Sequence, residues 1–150
     1  MGTLYFIGVG MGGLSTLTYE GLAAVNNADL LIGAPRLLET FAELNTEKLP
    51  IINPDEINSA VRKNEGKKIA LLFSGDIGFY SGADKLYKLL ADYDIVTLPG
   101  ISSLPYLAAR LRLSWQDVHC ISAHGRDADC AGAVQQNHKT FILTGGGTVF

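Results

Sequence analysis

The 150-residue sequence predicts an α/β fold organised around a mostly parallel sheet. Three observations predict it. Short, continuously apolar runs alternate with segments of helical period. Three of those runs end in glycine- and serine-rich loops, at 8–13, 74–82 and 99–103. Apolar residues make up 47% of the chain, enough for one sizeable core, while the length is too short for two complete doubly wound domains.

The run from Thr3 to Val9 is a buried strand entering the tight loop Gly8-Val9-Gly10-Met11-Gly12-Gly13. A helix over Leu17 to Val25 puts Leu22 and Val25 on one face, and Asn26-Asn27-Ala28-Asp29 is turn chemistry. Leu30-Leu31-Ile32-Gly33 is a second short strand, and Pro35 opens a second helix where a helix start tolerates proline. Between Pro50 and Gly66 come a strand end, a helix over Ile57 to Lys63 and a loop. Lys68 to Phe73 is the clearest buried strand, followed by Ser74 to Gly82 and a helix over Ala83 to Leu90. Asp94 to Leu98 is read as the fourth strand, ending in Pro99-Gly100-Ile101-Ser102-Ser103, and Leu104, Leu107, Ala108 and Leu111 line one side of the next helix. The segment Arg112 to Trp115 reads as a lobe boundary, giving lobes 1–112 and 113–150. Two strands, Val118 to Ser122 and Thr140 to Thr144, begin the second lobe. The sequence stops in a glycine loop with no helix after it, so that lobe is expected to be incomplete.

A net charge of −3, with Arg62-Lys63 and Lys67-Lys68 as the only adjacent basic pairs, gives no basic stripe for nucleic acid. No run approaches the roughly 18 apolar residues a membrane span needs, and the first residues lack the pattern of a secretory signal. Two cysteines, Cys120 and Cys130, are too few for a disulfide scaffold. A cytoplasmic protein is expected.

Ligands of open parallel sheets bind beyond the carboxyl ends of the strands, so three such loops point to one site. Gly8, Gly10 and Gly13 satisfy a dinucleotide fingerprint, but the acid that should follow the second strand is missing: Asp29 precedes Leu30-Leu31-Ile32. Asp76 could bind a ribose, an amine or a metal, or serve as an Asx-turn or helix N-terminal acid. Cys120, His124, Cys130 and His138 have the identity of metal ligands without the paired spacing of a zinc site, and no metal is expected. Cys120 reads more simply as a small core residue. Ser122-Ala123-His124-Gly125-Arg126 joins a titratable ring to a fixed cation, as an anion-binding loop or a polar surface turn.

Together these loops resemble those of the tetrapyrrole (corrin/porphyrin) methylases. Gly8-Val9-Gly10-Met11-Gly12 is similar to that family's Gly-x-Gly-Pro-Gly, with Met11 in place of proline. Gly75-Asp76-Ile77 is similar to its Gly-Asp-Pro, with Ile77 in place of proline, and Pro99-Gly100-Ile101-Ser102-Ser103 matches its third motif in full. Ile32 to Arg36, Ser74 to Ser81 and Ser122 to Arg126 look most like the precorrin C5-methyltransferase branch.

The resemblance implies a two-lobe tetrapyrrole-methylase-like fold, a homodimer and S-adenosyl-L-methionine as methyl donor. It implies donor contacts from Met11, Gly75, Asp76, Ile77, Phe79, Ser102, Ser103 and Thr144. The acceptor would be carbon C5 of cobalt-precorrin-7 or its metal-free counterpart, in cobalamin biosynthesis. Gly10, Gly12, Arg36, His124 and Arg126 are the candidates for contacting this polycarboxylate tetrapyrrole, with the arginines as carboxylate partners and His124 as a polar contact or proton acceptor. A sulfonium methyl is already activated, so alignment and water exclusion are the main task and no catalytic residue is singled out. Other readings keep the fold with another acceptor (another precorrin carbon, uroporphyrinogen, a protein side chain), or make the chain a nicotinamide oxidoreductase or a macrocycle-binding module.

Overall fold

The computed structural model describes residues 2–124 and 127–145. The chain divides into two compact units, Met1–Ser103 and Leu104–Phe150, whereas the sequence pattern placed the lobe boundary after Arg112.

The first unit contains β1 (Leu4–Gly8), a single 3₁₀ turn (Leu14–Thr16), α1 (Tyr19–Asn26), β2 (Leu30–Gly33), α2 (Pro35–Glu39), β3 (Glu47–Leu49), α3 (Pro54–Lys63), β4 (Ile69–Phe73), α4 (Ala83–Leu89) and β5 (Ile95–Leu98). Its five strands pair in the order β3-β2-β4-β1-β5, and every pairing is parallel. β1 and β4 run in register from Leu4 opposite Ile69 to Gly8 opposite Phe73.

The continuous apolar runs follow from burial on both faces. Leu4, Phe6, Leu30, Ile32, Ile69 and Leu71 pack on one side with Ile57 and Val61 of α3 and Ala83 and Leu86 of α4. Ile7, Leu31, Ala70 and Leu72 pack on the other with Ala24 and Val25 of α1 and Leu37 and Leu38 of α2. Successive strand residues thus serve opposite cores, as the two-residue period of a strand requires.

Local chemistry sets the helix starts. Thr18 accepts the Gly21 N–H at 3.0 Å and caps α1. Asn53 accepts the N–H groups of Asp55 and Glu56 at 2.9 and 3.3 Å, with Pro54 at the first helical position. That cap explains why α3 begins at Pro54 rather than at Ile57, where the apolar pattern starts.

The segment Asp94–Leu98 expected as the fourth strand is the fifth, because Glu47–Leu49 adds the edge strand β3. An exposed Glu and a half-buried Lys carry no apolar run, which is why that strand was not legible beyond its end.

The second unit holds α5 (Ser103–Leu111), whose first residue closes the first unit, then β6 (His119–Ser122), α6 (Cys130–Gln136) and β7 (Thr140–Leu143). β6 and β7 are parallel neighbours and α6 connects them, a βαβ arrangement. Asp129 caps α6 through the Gly132 N–H at 2.8 Å. No described helix is long and apolar enough to cross a membrane.

Candidate functional site

The three glycine-rich loops follow β4, β1 and β5, which are consecutive neighbours in the sheet though not in the sequence. β1 leads through α1 to β2 on one side, while β4 leads through α4 to β5 on the other. The chain therefore reverses its winding between β1 and β4, and at such a reversal open parallel sheets place their ligand crevice, beyond the carboxyl ends of the strands.

Backbone bonds join the loops at that reversal. Gly10 and Gly75 donate to each other's carbonyl oxygens, at 3.1 Å from Gly10 N and 2.8 Å from Gly75 N. Both lie in the left-handed region, with φ of 72° and 69°, which glycine reaches without the Cβ clash other residues meet. Gly8, Gly75 and Gly100 meet backbone to backbone. A Cβ at Gly8 would stand 2.7 Å from Gly100 N and 2.8 Å from Gly75 O. One at Gly100 would collide with the carbonyl oxygens of both Gly75 and Gly8.

Asp76 joins two loops. One carboxylate oxygen accepts the Gly78 N–H at 2.9 Å, the Asx-turn the sequence allowed, and the other accepts the Gly100 N–H at 3.1 Å. It is no helix N-terminal acid, since α4 starts at Ala83. A carboxylate offers about four acceptor positions, so this bonding leaves capacity toward the crevice.

The expected donor contacts divide by burial. Ile77 belongs to the core at 8% exposure, so only its backbone can face a ligand. Ser102 is buried and Ser103, the first residue of α5, is half-buried. Each loop raises one large apolar side chain into solvent: Met11 is 45% exposed, Tyr80 42% and Ile101 40%. Phe79 stands edge-to-face with Tyr80, ring centroids 4.9 Å apart. Gly12 is exposed on the first loop, and Arg36 is exposed on α2, which follows the carboxyl end of β2.

His124 and Thr144 belong to the second unit, after the carboxyl ends of β6 and β7. The His124 ring lies against Gly145, where a Cβ would collide with Nδ1, and its backbone N–H reaches Ser122 Oγ at 3.4 Å. Arg126 lies outside the described residues. Two residues that motif reading missed also shape the first loop. Thr16 Oγ1 accepts the Met11 N–H at 2.8 Å, and Thr40 Oγ1 donates to Gly12 O at 3.3 Å.

Competing chemistries find less support. The Asp29 carboxylate accepts the Lys68 N–H at 2.8 Å, at the amino ends of β2 and β4, the edge of the sheet opposite the glycine loops. It cannot hold a ribose at the crevice. Among the described residues no three His, Cys, Asp or Glu side chains converge as metal ligands. Burial pushes the Cys120 thiol above its ordinary range, in keeping with a strand residue packed as a small apolar group.

The loops fit S-adenosylmethionine chemically. Hydroxyls, a carboxylate and close-packed backbone suit its polar amino-acid and ribose groups, and the exposed apolar rim suits a flat ring system.

The sequence profile of the tetrapyrrole (corrin/porphyrin) methylases matches residues 3–149. A probable cobalt-precorrin-7 C(5)-methyltransferase of Methanocaldococcus jannaschii is 36% identical over 148 residues, covering 93% of this chain and 70% of that protein. A cobalt-precorrin-7 C(5)-methyltransferase of Salmonella typhimurium is 30% identical over 142 residues, covering 93% and 69%. Among solved structures, the methyltransferase CobJ superposes with a TM-score of 0.76 at 22% identity, over 91% of this chain and 62% of that one. The precorrin-6Y methylase of Archaeoglobus fulgidus superposes with a TM-score of 0.71 at 20% identity, over 95% and 72%. At those identities the superpositions speak for the fold.

Proposed function

Because the chain belongs to the tetrapyrrole (corrin/porphyrin) methylase family, we propose that it is an S-adenosylmethionine-dependent C-methyltransferase acting at C5 of a corrin precursor, cobalt-precorrin-7 or its metal-free counterpart. The observation that carries the reading is the meeting of three glycine loops at the winding reversal, joined by the Gly10–Gly75 backbone pair and by the Asp76–Gly100 bond.

S-adenosylmethionine supplies a methyl group already activated by its positive sulfur. The work left to the chain is to hold donor and acceptor in line and keep water out. Gly75, Asp76, the Ile77 backbone, Ser102 and Ser103 together form the donor site, where Gly75 and Ser102 pack against each other, with Met11 and Phe79 on the rim. Thr144 is a further donor contact implied by the family resemblance. Gly12, exposed and with open space where a Cβ would stand, lets the acceptor approach the first loop closely, and Gly10 supports that loop from beneath. Arg36 and Arg126 take the carboxylates of the macrocycle, as a guanidinium fork does well. His124 gives a polar contact and accepts the proton released from C5.

We also read the protein as a cytoplasmic homodimer. Leu111, Leu113 and Trp115, each about half exposed, supply apolar surface for a subunit contact.

The test is methyl transfer from S-[methyl-¹³C]adenosylmethionine to cobalt-precorrin-7, with uroporphyrinogen III and cobalt-precorrin-4 as rival acceptors. One labelled methyl at C5 is expected. Label on a rival acceptor alone would move the activity to another member of the family.

A further inference from the structure

The first glycine loop is held by a buried side chain, Thr16, together with the Thr40 hydroxyl that bonds Gly12 O. Thr16 is 5% exposed, its Oγ1 accepts the Met11 N–H at 2.8 Å, and it donates to Gly13 O at 3.1 Å. A single hydroxyl thereby spans the turn. Gly10 packs directly on Thr16, with no room for a Cβ between them. Gly10 and Gly12, at φ of 72° and 97°, flank Met11. Such a segment has many conformations open to it unless something fixes them, and a loop that must order on binding loses affinity by that amount.

Where the motif carries proline, no N–H exists at this position and φ is fixed. Met11 brings a donor that needs a partner, and a negative φ that nothing covalent holds. The Thr16 hydroxyl answers both needs.

We propose that Thr16 is a positioning residue that substitutes for the missing proline, presetting the Gly10–Gly13 turn and thereby the rim of the methyl-donor site. The inference rests on the methyltransferase reading. It does not make Thr16 a catalytic residue, since the hydroxyl is turned into the loop.

The test is a double-mutant cycle between Thr16→Val and Met11→Pro, read by titration of S-adenosylhomocysteine and by amide exchange at Met11. T16V should weaken binding about tenfold, the effect of leaving one partly buried N–H unpaired. It should speed exchange at Met11, while T16S restores both. In an M11P background the same T16V change should cost less than about threefold, because the donor is gone. An equal cost in both backgrounds, or unchanged Met11 exchange in T16V, overturns the proposal and leaves the methyltransferase reading standing. A wild-type chain that binds no S-adenosylhomocysteine overturns that reading and the donor-site role of Thr16 with it.

Discussion

The carboxylate of Asp76 accepts the backbone N–H of Gly100 at 3.1 Å, so the loop after β4 is tied to the loop after β5 across the end of β1. The tie passes where Gly8, Gly75 and Gly100 touch backbone to backbone. One acid and three glycines thus fix the relative height of two loops that both flank the crevice.

Asp76→Ala removes two charge-assisted hydrogen bonds as well as any contact with the ligand. Such bonds are worth about 1.5–3 kcal/mol each, so S-adenosylhomocysteine affinity should fall by at least about tenfold in calorimetry. Asp76→Asn keeps one acceptor and should fall between wild type and Ala. Equal affinity in all three would remove Asp76 from the site.

Gly100→Ala should destabilise the protein by about 1–3 kcal/mol in urea unfolding, since the new Cβ collides with two carbonyl oxygens. Gly82→Ala is the control. Its φ of −80° suits any residue and a Cβ there meets nothing within 4 Å, so stability should hold or rise slightly.

Thr18→Ala removes the α1 cap, a hydroxyl that follows the first glycine loop closely in sequence but bonds to Gly21 inside the helix, and should cost about 0.5–2 kcal/mol of stability. Ligand affinity should stay at the wild-type value in native conditions. A matching loss of affinity would mean that α1 and the crevice are coupled more tightly than their bonding indicates.

The hydrogen bond from Arg62 holds the Asp92 carboxyl below its ordinary value. A carboxyl lowered in the folded state contributes stability above its unfolded pKa of about 3.9, and loses it as pH falls through the folded value. Arg62→Ala should therefore melt lower than wild type at pH 7, and the gap should narrow as pH falls through the folded-state value of Asp92. The pair is exposed, so the gap at pH 7 should be small and shrink further in high salt.

The sequence made the fold legible where burial was two-sided. Leu30-Leu31-Ile32 and Ile69 to Leu72 serve two cores at once, so every residue is apolar and the run announces a central strand. The edge strand Glu47–Leu49 is shared by no second neighbour and carries charge, so it left no such mark. Helix α6 was hidden for a similar reason, since Cys130–Gln136 buries no residue. In the site, the glycine loops were visible as motifs and the carboxylate of Asp76 as a candidate. Its partner was not, because Gly100 is 24 residues away and supplies only a backbone N–H. Thr16 escaped because a lone threonine beside a glycine loop has no distinguishing pattern until its hydroxyl is seen between Met11 and Gly13.

The most direct test of the central claim is calorimetric titration of the chain with S-adenosylhomocysteine and, separately, with NADH. The three-loop crevice predicts saturable one-site binding of S-adenosylhomocysteine, weakened by Asp76→Ala, and no heat with NADH. Binding of NADH alone would contradict the account, and would turn the glycine fingerprint at 8–13 into a dinucleotide site after all.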